Sequence, residues 1–332
     1  MANADRASED RRWLDAAARL SERGVPKSFP NPSVGAIVVR GGMVVGRGWT
    51  QAGGRPHAEA AALEAAGEAA CGATLYVTLE PCAHQSARGP ACADLVAGSG
   101  IARVVIGCAD PDPRTAGKGM ERIRQAGIAV DLIDSPACTR SLAGYLVSKR
   151  EHRCHVTLKV AMSQDGALAR PEGESQWITG ELSRRHVHAN RARLDAILVG
   201  SGTFRIDKPQ LTVRLPGLEG RSPQRWVMGS DPSLAPPGWH WAEGPDAVRG
   251  RISALYLMVE GGAKTARAFL KTNLVDRLMI YRAPFSIAGN VPRLEELTAA
   301  KLADSRQWRR VDQRPLGSDT LDVYEAIPCS PA

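Results

Sequence analysis

The sequence predicts a two-domain α/β protein, on three observations. The chain has 332 residues, more than a single domain of ordinary size needs. Short apolar runs alternate with amphipathic or alanine-rich stretches through its first half, which is the layer pattern of an α/β fold. Around "LVSKREHRCH", residues 146–155, charge rises and the alternation restarts, so the domains are set at 1–150 and 151–332.

The elements follow in order. A helix near Asp10 to Arg23 precedes two strand signals, "VGAIVV" and "MVVGRGW". The alanine-rich run after His57 has high helix propensity and leads to the strand "ATLYVTL". A helix after Cys92, the strand "ARVVIGC", a helix near Gly119 to Ala126 and the strand "IAVDLI" complete the first domain. In the second, strands are expected at "HVTLKVAMS", "DAILVGS", "RWVMGS", "ALYLMVE" and "RLMIYRA", with helices near Glu181 to Arg193 and Lys264 to Thr272. The segment "DPSLAPPGWHWAEGP" is rich in Pro and Gly and reads as a loop, and the domain is expected to end in short strands.

Composition narrows the function. A hydrophobic content of 43% with 23% charged residues is ordinary for a soluble enzyme. The net charge of +8 is spread as diffuse arginine, and aromatics are only 5%, which suits a phosphorylated metabolite better than a nucleic acid. The N-terminal "MANADRASEDRRWLDAAARL" has no apolar core segment, so neither a signal peptide nor a membrane span is expected and the protein reads as cytoplasmic. Seven cysteines without regular spacing argue against a disulfide framework there and raise the question of metal ligation.

"PHAEA" places His57 and Glu59 at the mouth of a helix. Taken alone, Glu59 is accounted for by the helix dipole. "TLEPCAHQSARGPAC" then follows by one helix and one strand, with Cys82 after a Glu-Pro turn and Cys92 opening the next helical stretch. One imidazole and two thiolates make a three-ligand zinc set with the fourth position open to water, the mark of a catalytic rather than a structural site. A structural site would want a fourth ligand, for which His84 is the nearby candidate. Zinc lowers the pKa of its water, and Glu59, beside a ligand without being one, is placed to carry the proton to a leaving amine. The order H-x-E then P-C is that of zinc nucleobase deaminases, although nine residues separate the cysteines where two are usual.

Along nearly its whole length the chain resembles the bifunctional riboflavin-biosynthesis deaminase/reductase family. The resemblance is carried by "PNPSVGAIVV", "PHAEA", "VTLEPCAH", "DPDPRTAGKG", "LKVAMSQDG", "GESQWIT", "DAILVGSGT" and "VEGG". It implies a cytidine-deaminase-like three-layer domain followed by a dihydrofolate-reductase-like domain. It also implies zinc on His57, Cys82 and Cys92, Glu59 as proton shuttle, and deamination of a phosphoribosylamino-pyrimidine followed by NADPH reduction of its ribosyl group. Asn31 would contact the pyrimidine, since an amide both donates and accepts, or else serve a turn in "PNP". Arg88 would meet the substrate phosphate or remain a solvated loop residue, and His84 would face the substrate or the surface. Gln85 to Ala87 depart from the family's usual residues.

In the second domain the resemblance assigns Ser175, Arg191, Leu211, Arg214 and Glu260 to the phosphorylated sugar, and Ala161, Trp177, Thr203, Asp207, Ser230 and the stretch from Gly262 to NADPH. Lys159 and Asp207 would support charge near the reacting carbon. Without the family, Trp177 reads as core, Arg191 as a solvated helix face and Asp207 as a turn residue. The domain departs from the family in Lys208, in "APFSIAGN" and in a shortened stretch between Ser230 and Glu260, which together predict weakened cofactor binding. Two rivals remain at this stage: a deaminase with a degenerate reductase domain, and a nucleic-acid-binding zinc deaminase, against which the absence of an aromatic stacking stripe counts. A homo-oligomer is possible on the sequence.

Overall fold

In the strand β1 (Gly35–Arg40) successive side chains point to opposite faces, and both faces are apolar. Ala36 and Val38 join one core cluster and Ile37 and Val39 another, so this strand is covered by helices on both sides. The computed structural model describes residues 2–85, 88–171 and 177–327, and it divides into two units, Met1–Arg153 and Cys154–Ala332.

The first unit runs α1 (Ala2–Ser21), β1, β2 (Met43–Trp49), α2 (Ala58–Ala66), β3 (Thr74–Val77), α3 (Cys92–Ala97), β4 (Arg103–Ile106), α4 (Lys118–Gln125), β5 (Ala129–Leu132), α5 (Pro136–Ser141) and α6 (Ala143–Glu151). Its sheet has the order β2-β1-β3-β4-β5, with β1 antiparallel to β2 and β3 and the remaining pairs parallel. On one face Ala58, Ala62, Val96, Ile123 and Leu146 pack against Val38, Leu75 and Val104; on the other Leu14, Ala17 and Cys138 pack against Ile37, Tyr76 and Val105. This is the expected three-layer domain. Gly48 of β2 sets how closely α2 lies, because a Cβ there would stand 2.4 Å from the Ala58 carbonyl oxygen.

The second unit contains β6 (His155–Met162), α7 (Glu181–Arg191), β7 (Ala196–Gly200), α8 (Ser201–Asp207), β8 (Gln224–Met228), β9 (His240–Ala242), β10 (Tyr256–Glu260), α9 (Ala263–Leu270), β11 (Arg277–Arg282), α10 (Ala299–Ala303), β12 (Trp308–Leu316) and β13 (Asp319–Ala326). They build an eight-stranded sheet in the order β12-β13-β11-β6-β10-β7-β8-β9, parallel from β11 to β9 with an antiparallel hairpin at the other edge. The chain moves from β6 to β7 leaving a slot that β10 later fills. Ligands of open α/β sheets bind at the carboxyl ends of strands around such a change of direction.

Two readings of this unit are corrected. The stretch 231–245 is more than a loop: His240–Ala242 forms a strand parallel to β8, pairing Trp226 with His240. Nor does the chain end in short strands, since β12 and β13 have nine and eight residues. Their polarity hides them. Asp322 is buried against Arg282, and Asp319 accepts hydrogen bonds from Ser183 and Gly180, so charges that look solvated are satisfied across the fold. Among the described residues no helix is long and apolar enough to cross a membrane.

Candidate active site

His57 sits at the N-cap of α2, Glu59 in its first turn, Cys82 after the end of β3 and Cys92 at the first residue of α3. These elements bring one nitrogen and two sulfurs together: His57 Nδ1 lies 3.2 Å from Cys92 Sγ and 3.6 Å from Cys82 Sγ, and all three ligand atoms fall within 4.8 Å of one another. Tetrahedral zinc with bonds of about 2.0–2.3 Å places ligand atoms roughly 3.3–3.8 Å apart, and the two nitrogen–sulfur distances lie in or close to that range. Among the described residues no fourth donor joins the group; His84 stays outside it, its buried Nδ1 without a hydrogen-bond partner. Three protein donors are the number found in catalytic rather than structural zinc sites.

The electrostatics suit a metal and a proton carrier. The hydrogen bond from Cys92 holds the Cys82 thiol down to about 4, and the same pairing pushes Cys92 up, so the first proton leaves the pair readily. Burial pushes the Glu59 carboxyl up to about 7; the side chain is only 3% exposed. A group that titrates near neutrality both accepts and releases a proton there.

Asn31 donates to the Gly54 carbonyl at 3.1 Å, and its Nδ2 stands 3.3 Å from His57 Nε2, the ring nitrogen turned away from the sulfurs. Arg88 donates to the adjacent Gly53 carbonyl at 2.6 Å from an exposed position. Asn31, His57 and Arg88 thus meet around the 53–54 turn. Gln85 is exposed, while Ser86 and Ala87 lie outside the described residues.

A second cluster forms at the carboxyl end of β10. Glu260 accepts two hydrogen bonds from Arg191 at 2.9 and 3.0 Å, and Lys159 Nζ lies 3.6 Å from the same carboxylate. Burial would raise the Glu260 carboxyl, but Lys159 and Arg191 overcome it and hold the group down to about 2. Arg191 also donates to the Thr212 carbonyl at 3.3 Å, and Arg214 reaches His188 at 3.3 Å, so both arginines stand beside one imidazole. Burial and these two cations lower the His188 pKa.

The residues assigned to the nucleotide gather less tightly. Gly262 N donates to Thr203 Oγ1 at 3.0 Å, tying the start of α9 to α8. Gly200 closes β7 against α9, since a Cβ there would stand 1.9 Å from Thr265 Oγ1. These close-set strand ends fit a cofactor whose phosphates approach backbone. Ala161 lies on β6 and is half-buried, Asp207 is the exposed last residue of α8, and Ser230 is exposed after β8. Trp177 is not core: it is 55% exposed, with the Arg184 guanidinium 5.3 Å from its ring. Leu211 is buried at a φ of 54°. Ser175 lies outside the described residues. Lys208 takes a φ of 40° and, with Arg205, Arg225 and Trp239, lines an open cavity of about 490 Å³ beside α8.

The sequence reading missed His188 and Glu80. His188 stands three residues before Arg191, on the same face of α7, and that spacing was the available signal. Glu80 lies inside "TLEPC", where nothing local marks its partners.

Comparison with known proteins shows two family matches: the cytidine and deoxycytidylate deaminase zinc-binding region over residues 7–108, and the RibD C-terminal domain over 154–241 and 251–321. The chain is 37% identical over 360 residues to the riboflavin biosynthesis protein RibD of Escherichia coli (strain K12), covering 94% of this chain and 98% of that protein. The RibD of Aquifex aeolicus is 36% identical over 354 residues, covering 95% and 98%. Among solved structures, a Thermotoga maritima diaminohydroxyphosphoribosylaminopyrimidine deaminase/5-amino-6-(5-phosphoribosylamino)uracil reductase superposes with a TM-score of 0.84 at 30% identity, covering 96% of this chain and 99% of that one. Acinetobacter baumannii RibD gives a TM-score of 0.82 at 30% identity, covering 97% and 99%.

Proposed function

Given that the chain belongs to the RibD family of bifunctional riboflavin-biosynthesis deaminase/reductases, we propose that residues 1–150 carry its deaminase chemistry and 151–332 its reductase chemistry, through the two clusters described above. The substrate is 2,5-diamino-6-(5-phosphoribosylamino)pyrimidin-4(3H)-one, deaminated first and then reduced at its ribosyl group to ribityl. The observation that carries this reading is the convergence of His57, Cys82 and Cys92 beside a buried Glu59.

In deamination, His57, Cys82 and Cys92 hold zinc, which when bound supplies the Lewis acidity that makes a water a nucleophile near neutral pH. Glu59 takes the proton that this water loses and delivers it to the departing amine, so that water and substrate leave as carbonyl and ammonia. Asn31 orients the pyrimidine, and Arg88 and His84 face the phosphorylated sugar. In reduction, NADPH when bound supplies the hydride to the sugar carbon. Arg214 and the remaining donors of Arg191 bind the phosphate, Leu211 and Ser175 line its sugar, and Lys159 stabilises negative charge on the sugar oxygen as the ring opens. Glu260 keeps Arg191 and Lys159 in place. Ala161, Trp177, Thr203, Asp207, Ser230 and Gly262 take the nucleotide. The enzyme acts in the cytoplasm on this small molecule, without nucleic acid.

The test separates the two halves. Cys82→Ser and Cys92→Ser each lose zinc by metal analysis and lose ammonia release with it, while NADPH oxidation on pre-deaminated substrate continues. Zinc-free wild-type enzyme with full deaminase activity would overturn the assignment. Lys208→Asp raises the Kd for NADPH about two- to fivefold, the size expected of one exposed charge, as read by fluorescence titration.

A further inference from the structure

Glu80 is 2% exposed, and among the described residues no cation forms an ion pair with it; its carboxylate is filled by backbone donors instead. Oε1 accepts from Gly119 N at 3.1 Å and Met120 N at 3.2 Å, and Oε2 accepts from Gly117 N at 3.1 Å and Asp110 N at 3.4 Å. A carboxylate satisfied this way ties one segment of chain to another with little freedom. Here the segments are the turn Glu80-Pro81-Cys82 and the loop "DPDPRTAGKG" that leads into α4. The contact behind it is tight: a Cβ on Gly119 would stand 2.0 Å from the Pro81 carbonyl oxygen. Pro81 immediately precedes Cys82, whose own carbonyl accepts from Ala93 N at 3.1 Å and whose sulfur accepts from Cys92 N at 3.3 Å. The brace therefore runs from α4 through Glu80 and Pro81 to the turn that presents one thiolate and meets the other.

We propose that Glu80 is a positioning residue of the zinc centre, acting through Cys82 by clamping its turn onto the first turn of α4. This rests on the zinc reading above. Glu80→Gln is nearly isosteric, but its amide NH2 turns donors toward two of the four backbone N–H groups, so half of the clamp is lost and replaced by repulsion. Groups that orient metal ligands from behind typically change metal affinity or activity ten- to a hundredfold.

The experiment uses the full-length chain and compares wild type, Glu80→Gln and Gly119→Ala, the last displacing the same turn without altering the carboxylate. Three quantities are read: zinc transfer to a competing chelator, the visible absorption bands of the cobalt(II)-substituted protein, and NADPH oxidation on pre-deaminated substrate. Glu80→Gln is expected to weaken zinc retention ten- to a hundredfold and shift the cobalt bands, with reductase turnover unchanged; Gly119→Ala moves both metal readouts in the same direction and carries the test if Glu80→Gln fails to fold. Wild-type zinc retention and cobalt spectra in the variants, even with a lowered melting temperature, would overturn this inference alone. A wild-type chain that takes up no zinc would overturn it together with the reading beneath it.

Discussion

Glu59→Gln lowers deaminase turnover by about a hundred- to ten-thousand-fold while the protein keeps its zinc, because the amide fills the same buried space and cannot carry a proton. The side chain lies in the first turn of α2, two residues from His57, and burial lifts its carboxyl to about 7. Substitution by the neutral amide removes a charge without leaving a cavity, so His57, Cys82 and Cys92 are expected to keep their places. Ammonia release and metal content measured on the same preparation decide the matter. Near wild-type turnover would return Glu59 to the role of an acidic residue at a helix start, favoured by the dipole. Loss of zinc together with turnover would make it a residue that supports the ligand set rather than a proton carrier.

Glu260→Ala abolishes reduction and destabilises the second unit by about 3–5 kcal/mol, the cost of leaving a buried partner charge uncompensated. Arg191 and Lys159 both point at this carboxylate, with side chains only 12% and 18% exposed. The same linkage gives a pH dependence. Glu260 is held at about 2 in the folded protein against an ordinary 4.5, so its contribution is complete above the ordinary value and is lost as pH falls from 4.5 toward 2. Denaturant melts of the wild type between pH 6 and 3 should show that loss, and the variant should lack this part of it. Ammonia release by the variant is expected to remain, because the proposed deaminase residues lie in the other unit. A variant with wild-type stability and reduction would remove Glu260 from both the proposed reductase site and the fold's charge balance.

The sequence by itself determined most of the helices and strands whose apolar spacing is local. It also marked His57, Cys82 and Cys92 as candidate metal donors, because thiols and an imidazole beside a glutamate have few other uses in that order, and the fold brings the three together. The continuous apolar run Ala36-Ile37-Val38-Val39, rich in β-branched residues, predicts a strand from four neighbouring residues, and α2 follows from alanine propensity alone. What tertiary structure decided are the features whose partners lie far along the chain. The strand β13 buries Asp319 at its start and Asp322 within it, and most of the groups that make this burial tolerable are distant: Gly180 and Ser183 for Asp319 and Arg282 for Asp322, at separations of 40 to 139 residues, with Gln313 of the neighbouring strand adding a bond to Asp322. The edge strand β9 has three residues and exists by pairing with β8, so a Pro- and Gly-rich stretch gave no sign of it. Glu80 is the sharpest case. Its four donors come from Asp110 to Met120, and a carboxylate whose partners are backbone N–H groups 30 to 40 residues away leaves no side-chain pattern to read.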